Sequence, residues 1–350
     1  MNRNAGHDLA GLRRRVGADT ARRSTRRKLL IALGASVLAT PLASLAQQQV
    51  AKVPRIGFLG STSASGYATQ IEALRAGLRE LGYIEGKNIV IEYRWAEGKY
   101  ERLPELAAEL VRLKVDILVT HASAGSIAAK QATTTIPIVM AAVGDPVAAG
   151  FAASLARPGG NMTGSAFFNL ELAAKRLELL KKAFPRTKRV AVLLNLDSPV
   201  NALILEAMEP AAESLKMELQ QFKVRGPNEF ESAFTAMAKR RVDAVVINED
   251  PVLIGNAKGI ADLAAKQQFP SIGFKEIAEA GGLMAYGVNI PEMWHRAATF
   301  VDKILKGAKP GDLPVERSTK FELVVNMKTA KALGIKIPNS VLVRASMVIE

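Results

Sequence analysis

The 350-residue chain carries 47 Lys and Arg against 33 Asp and Glu, a formal charge of +14, with 49% hydrophobic residues and no cysteine. The absence of cysteine excludes thiolate zinc sites, iron–sulfur clusters, a Cys nucleophile and a lipid-modified N-terminal Cys. The charge would suit a phosphate-bearing partner, but residues 1–46 hold a net +7 and the other 304 residues hold the remaining +7, so the body gives no case for nucleic acid.

In chain order, a basic segment ending in Arg26-Arg27-Lys28 precedes the apolar run Leu29–Ala39, and Leu42-Ala43-Ser44-Leu45-Ala46 places small residues before a cut after Ala46. That order of charge, apolar core and small residues is a secretory signal, and Thr25-Arg26-Arg27-Lys28-Leu29-Leu30 resembles its twin-arginine variant. An uncleaved anchor fits less well, because Thr40, Pro41 and Ser44 interrupt the 18 residues from Leu29 to Ala46. The expectation is an exported protein that is not inserted in the membrane once residues 1–46 are removed. With no Cys for lipidation it would be held in the periplasm of a Gram-negative cell.

From Val53 onward, short β-branched runs alternate with amphipathic stretches of helical length. Arg55–Gly60 reads as a buried strand, and Ile71, Leu74, Leu78 and Leu81 recur after it at helical spacing. Asn88–Tyr93, Val115–Val119 and Ile136–Met140 read as further strands, with helices around Leu103–Leu113 and Ser123–Gln131. The pattern then restarts with strands Val190–Leu194, Glu218–Val224 and Val242–Ile247, and helices Ala202–Leu215, Glu229–Lys239 and Leu253–Gln267. Such alternation implies parallel sheets flanked by helices.

Arg112–Val119 also echoes Arg240–Val246, so two similar α/β lobes are the simplest account. Gly/Pro-rich Arg157–Gly164, Gly281–Gly287 and Pro310–Pro314 are expected to form three hinge crossings. They would divide the body into one lobe of residues 53–163 plus 286–316 and a second of 164–285 plus 317–350.

Enzyme signatures are missing. There is no G-x-S-x-G elbow, G-x-G-x-x-G fingerprint or H-E-x-x-H pair, and Gly82–Lys87 precedes a strand rather than following one, as a turn would. With only His121 and His295 in the body, a metal site or a Ser-His relay has little to draw on, and no cofactor or metal is expected.

What remains are small polar residues at the carboxyl ends of strands, where open α/β sheets bind ligands. The first lobe offers Ser61, Thr62, His121, Ser123 and Asp145, and the second Asn195, Asp197 and Asp250. Hydroxyls beside helix N-termini suit a carboxylate, and the aspartates suit an ammonium. The same serines and aspartates are good helix caps, and His121 is equally a polar strand end. Tyr286 could stack on a ligand or lie in the core. No Arg or Lys sits on these loops, so a small zwitterion fits better than a phosphorylated ligand.

Several segments resemble a known family: Ile91–Gly98, Gly144-Asp145-Pro146-Val147, Arg157-Pro158-Gly159-Gly160-Asn161-Met162-Thr163-Gly164, Ala173–Leu180, Ile304–Pro310, Leu313–Glu316 with Thr319–Asn326, and Lys328–Gly334. Over residues 53–350 the chain is similar to the substrate-binding proteins of ABC transporters, the tryptophan-binding TrpX-like proteins among them. The resemblance implies the type I periplasmic binding fold, with two Rossmann-like lobes joined by a three-crossing hinge. It also implies a monomeric, non-enzymatic receptor that closes on an amino acid or related small carboxylate and delivers it to a membrane permease with its ATPase. A sensor passing its ligand signal to a membrane receptor is the alternative. The chain departs from its relatives where they often carry Gly-Thr-Pro-Ala after the third strand, having Thr120-His121-Ala122-Ser123 instead, and again at Phe274-Lys275-Glu276.

Overall fold

The computed structural model describes residues 53–350; the expected leader, residues 1–46, lies outside the described residues. The chain first lays down β1 (Arg55–Gly60), β2 (Val90–Trp95), β3 (Ile117–Thr120), β4 (Ile138–Val143) and β5 (Met162–Ala166). It then builds β6 (Arg189–Asn195), β7 (Glu218–Val224), β8 (Ala244–Ile247), β9 (Ser271–Gly273) and β10 (Met284–Gly287). Last come β11 (Glu316–Arg317), β12 (Glu322–Asn326) and β13 (Met347–Ile349). One sheet has the order β11-β5-β4-β3-β1-β2 and the other β13-β12-β10-β9-β8-β6-β7. Strands β3, β4, β5 and β8 are buried along their whole length, as parallel strands covered by helices on both faces must be. Among the described residues the one antiparallel pairing is β10 with β12, which the βα alternation does not announce.

The two sheets repeat one plan. Strands β2, β1, β3, β4 and β5 occupy the same relative places as β7, β6, β8, β9 and β10. The echo seen in the sequence has a structural basis at the entrance to the third strand of each lobe. Lys114 and Arg241 both turn through left-handed backbone, at φ 53° and 52°, a conformation uncommon outside glycine. Just after them, Asp116 Oδ2 accepts from the Arg55 N–H at 2.8 Å, and Asp243 Oδ2 accepts from Lys188 and Arg189 N–H at 2.8 and 2.7 Å. Each aspartate therefore fastens the start of its lobe's first strand.

The chain passes between the sheets after β5, after β10 and after β11. Helix Ile290–Leu305 returns to the first sheet and lies on helix Ala68–Glu80. The approach requires Gly77, since a Cβ there would fall 2.9 Å from that of Ala298. The contact buries Trp294 completely against Phe58 and Tyr67.

Two of the segments expected as flexible crossings are partly strand. Met162–Gly164 belongs to β5 and Met284–Gly287 to β10. Gly164 sits at φ 142°, and a Cβ there would lie 2.7 Å from Met140 N, so this glycine serves close strand approach rather than bending. The single helix expected over Leu253–Gln267 is two, Pro251–Gly255 and Ala257–Lys266, broken at Asn256. The break lets Gly255 come against the first lobe, where a Cβ would lie 3.2 Å from Thr62 Oγ1 and 3.4 Å from the Gly66 Cα.

Gly164→Ala is expected to lower stability by about 2 kcal/mol or more, through a forced shift of β5 from β4 and a disfavoured backbone angle. A urea midpoint within error of the parent's, at unchanged slope, would show that the strands accommodate the methyl.

Candidate functional site

The carboxyl ends of the two sheets face one another, and the loop leaving β8 carries the central group. Asp250 caps helix Pro251–Gly255, its Oδ1 accepting from Val252 N–H at 2.9 Å and from Asn195 Nδ2 at 2.9 Å. Its other oxygen accepts from the hydroxyl of Tyr100, at 2.9 Å, on the short turn that follows β2 of the opposite lobe. One buried carboxyl thus joins two loops of the second lobe to an aromatic of the first. Burial pushes Asp250 up to about 6, against the pull of the donors from Asn195, Val252 and Tyr100. Burial, and then the Asp250 charge, raise the Tyr100 hydroxyl well above its ordinary value.

Beside it, Glu249 pairs with the fully buried guanidinium of Arg176, which donates from Nη1 to Glu249 Oε2 at 2.6 Å and from Nη2 to Oε1. Arg176 also donates from Nε to the carbonyl of Tyr286 at 2.9 Å. Gly287 makes room, because a Cβ there would meet Arg176 Nη2 at 3.2 Å. Bidentate pairing satisfies charges that would otherwise be costly to bury, and removing either partner alone would cost several kcal/mol, about 3–5.

Two spaces lie between the lobes, with helix Pro251–Gly255 between them. The inner gap is walled by Tyr100, Ser123 and Gly144 from one side and Asn169, Ser198, Glu249 and Asp250 from the other, with Phe167 at the connection. Its volume is about 30 Å³, room for a water molecule or two. The outer groove, about 480 Å³, runs between Thr62, Ser63, Glu97 and Lys99 and the facing Asp197, Arg225, Asn228 and Val252.

The structure sorts the residues singled out from sequence into four places. Ser123 and Asp250 line the inner gap, and Thr62 and Asp197 line the outer groove, Asp197 lying 3.6 Å from Arg225 Nε. Ser61, His121 and Asn195 are buried behind the walls. His121 packs on Tyr67 and Trp294 at centroid distances of 4.6 and 5.0 Å, and its Nε2 accepts from Ser61 N–H at 3.3 Å. Burial lowers it to about 3, so it is a neutral core histidine at physiological pH. Asn195 Oδ1 accepts from Asp197 N–H at 3.1 Å while its amide holds Asp250.

Asp145 caps its own turn, Oδ1 accepting from Val147 and Ala148 N–H at 2.9 and 3.0 Å, and only its neighbour Gly144 reaches the gap. Tyr286 turns its ring to Phe321, 6.1 Å between centroids, away from both spaces.

Sequence reasoning missed Tyr100, Asn169 and Arg176. For Arg176 a signal existed: an arginine on the apolar stripe Leu172, Ala173, Leu177, Leu180 of helix Asn169–Ala183 implies a buried carboxylate partner. Among the described residues no group of three or more His, Asp or Glu is placed to hold a metal, and no helix is long and apolar enough to cross a membrane.

Two α/β lobes with facing strand ends, joined by three passages of the chain, have the architecture of proteins that bind ligands at the carboxyl ends of their strands. Residues 56–349 match the family of ABC transporter substrate binding proteins, and the chain belongs to that family. A tyrosine-binding protein of Clostridioides difficile (strain R20291) is 26% identical over 261 residues, 74% of this chain and 74% of that protein. The ABC domain in complex with L-Trp from Streptococcus pneumonia has a TM-score of 0.77 and 28% identity, covering 85% of this chain and 99% of that one.

A ligand-free, open structure of a substrate binding protein with adhesive properties from Clostridium difficile has a TM-score of 0.59 and 25% identity, covering 85% and 99%. The family and these neighbours are solute-binding proteins of the type I periplasmic fold, not enzymes, and bind small molecules.

Asp250 gives the site a pH signature. Its value in the fold lies above that of free aspartate, so its contribution to stability is present below 3.8 and lost as pH rises through about 6. Asp250→Asn is expected to remove about 3 kcal/mol of this pH-dependent change between about pH 4 and pH 7, read as urea midpoints of the two proteins across that range. Parallel pH profiles for parent and variant would place the carboxyl in water rather than in the fold.

Proposed function

We propose that this chain is the periplasmic receptor of an ABC importer, which closes its two lobes on an amino acid and presents the closed form to a permease and its ATPase. One observation carries the reading: the inner gap is walled by both lobes, and the Tyr100–Asp250 hydrogen bond crosses it. A ligand held there touches both lobes only when they are together, so its binding energy favours closure. The three passages of the chain between the sheets, just beyond β5, β10 and β11, act as the hinge, so the lobes expected as residues 53–163 plus 286–316 and 164–285 plus 317–350 have their bounds moved a few residues, to the ends of those strands. At about 30 Å³ the closed gap is far smaller than an ordinary small-molecule site of about 300 Å³ or more, so ligand enters by parting the lobes.

Ser123, Ser198 and the N-terminus of helix Asn169–Ala183 suit a carboxylate, and Asp250 places negative charge for an ammonium. The named ligands of the relatives, tyrosine and L-Trp, make these two amino acids the first probes. The periplasmic setting rests on the signal-like residues 1–46 and on the family.

The mature protein is expected to melt at a higher temperature with L-tryptophan, L-tyrosine or another amino acid from a full panel. Tyr100→Phe leaves one Asp250 oxygen without its donor, which costs the closed form about 1–3 kcal/mol and weakens binding of that amino acid roughly tenfold in calorimetry. If no amino acid or small carboxylate shifts the melting temperature, the reading fails.

A further inference from the structure

Among the described residues, two side-chain hydrogen bonds join the lobes outside the hinge passages, and both end on a carboxyl of the second lobe. Tyr100 donates to Asp250, and Gln70 Nε2, on helix Ala68–Glu80 of the first lobe, donates to Glu276 Oε1 at 3.4 Å. Glu276 lies on the short helix Lys275–Glu279, in a segment where the sequence departs from its relatives. It lines neither the inner gap nor the outer groove.

Asp250 is surrounded by donors, whereas Glu276 is nearly bare of them. Its Oε2 is buried with no hydrogen-bond partner. Lys275 turns to Glu322 of β12 at 3.0 Å and to Glu279 at 3.8 Å, and Glu249, on the loop after β8, is held by Arg176. From the first lobe the carboxyl is covered by Gln70 and Tyr67, both buried. Burial, and then the Asp250 and Glu276 charges, raise the Tyr67 hydroxyl well above its ordinary value, so it stays neutral. Burial pushes Glu276 itself up to about 7, against the pull of its own backbone N–H and of Lys275, while the Glu279 and Glu249 charges add to the rise.

Granted the closure proposed above, we propose that closing the lobes takes up a proton at Glu276, so that the receptor holds its ligand more tightly as its surroundings become more acid. Parting the lobes draws Gln70 and Tyr67 away and returns the carboxyl to water, where it ionises. Bringing them together seals it as a neutral acid, which still accepts from Gln70 but leaves no charge to bury. Its value in the closed fold lies above the 4.5 of a solvated glutamate, so this contribution to closure is complete below 4.5 and is lost as pH rises through about 7. Asp250 titrates lower, at about 6, which leaves Glu276 the larger share at neutral pH.

The test is calorimetry of the mature protein with L-tryptophan, L-tyrosine or whichever other amino acid raises the melting temperature, in buffers of different ionisation heat. At about pH 7 the parent is expected to take up roughly half a proton per ligand bound, and Glu276→Gln, which keeps an uncharged group of the same shape, about a tenth. From about pH 6 to about pH 8 the affinity should weaken about tenfold in the parent and about twofold in the variant. Binding without proton uptake by the parent, or the same pH profile in parent and variant, would overturn the proposal and leave the receptor reading standing. Absence of binding by every amino acid would overturn both. Should Glu276→Gln fail to fold, the parent's proton count decides alone.

Discussion

The closed arrangement turns on one buried carboxyl. Asp250 caps the helix after β8, holds the Asn195 amide at the end of β6, and accepts the Tyr100 hydroxyl from the other lobe. An aspartate in so dry a place is tolerated because donors surround it, and even so its affinity for a proton is raised. The helix it caps then seats Gly255 against Thr62 and Gly66, and Val252 joins the apolar cluster of the first lobe with Leu59, Ala96 and Tyr100. A group whose partners lie on both lobes senses their separation, because parting them leaves Asp250 without the Tyr100 donor.

The neighbouring Arg176–Glu249 pair has a different task. It lies within the second lobe and ties helix Asn169–Ala183 to the loop after β8 and to β10 itself. It therefore fixes one wall of the gap, so that Glu249 and Asp250 project from a rigid frame. In the proposed closure, lobe movement would change the distance between the walls rather than their shape.

Much of the fold was legible in the sequence, since strands buried on both faces leave continuous apolar runs; β1 and β7 fall on their expected residues. The misses arose where tertiary contact overrode local pattern. Asn256 interrupts an otherwise helical periodicity so that Gly255 can reach the first lobe, and glycines that suggested hinges at Gly164 and Gly287 serve close approach to Met140 and Arg176. The site was legible as a set of loops, less so residue by residue. Ser61, His121 and Asn195 stand at strand ends yet turn inward, because a polar residue there can satisfy its neighbours as well as a ligand. Tyr100 gave no signal, its role depending on an aspartate 150 positions away.

Closure of the lobes on a ligand is the central claim, and the distance across the cleft mouth tests it. The chain has no cysteine of its own, so Glu101→Cys and Asn228→Cys place spin labels on opposite walls of the outer groove without interference. With the amino acid that raises the melting temperature, the distance distribution should narrow to a single short value; without it, longer distances should be populated. A distribution unchanged at saturating ligand would contradict closure as the means of binding.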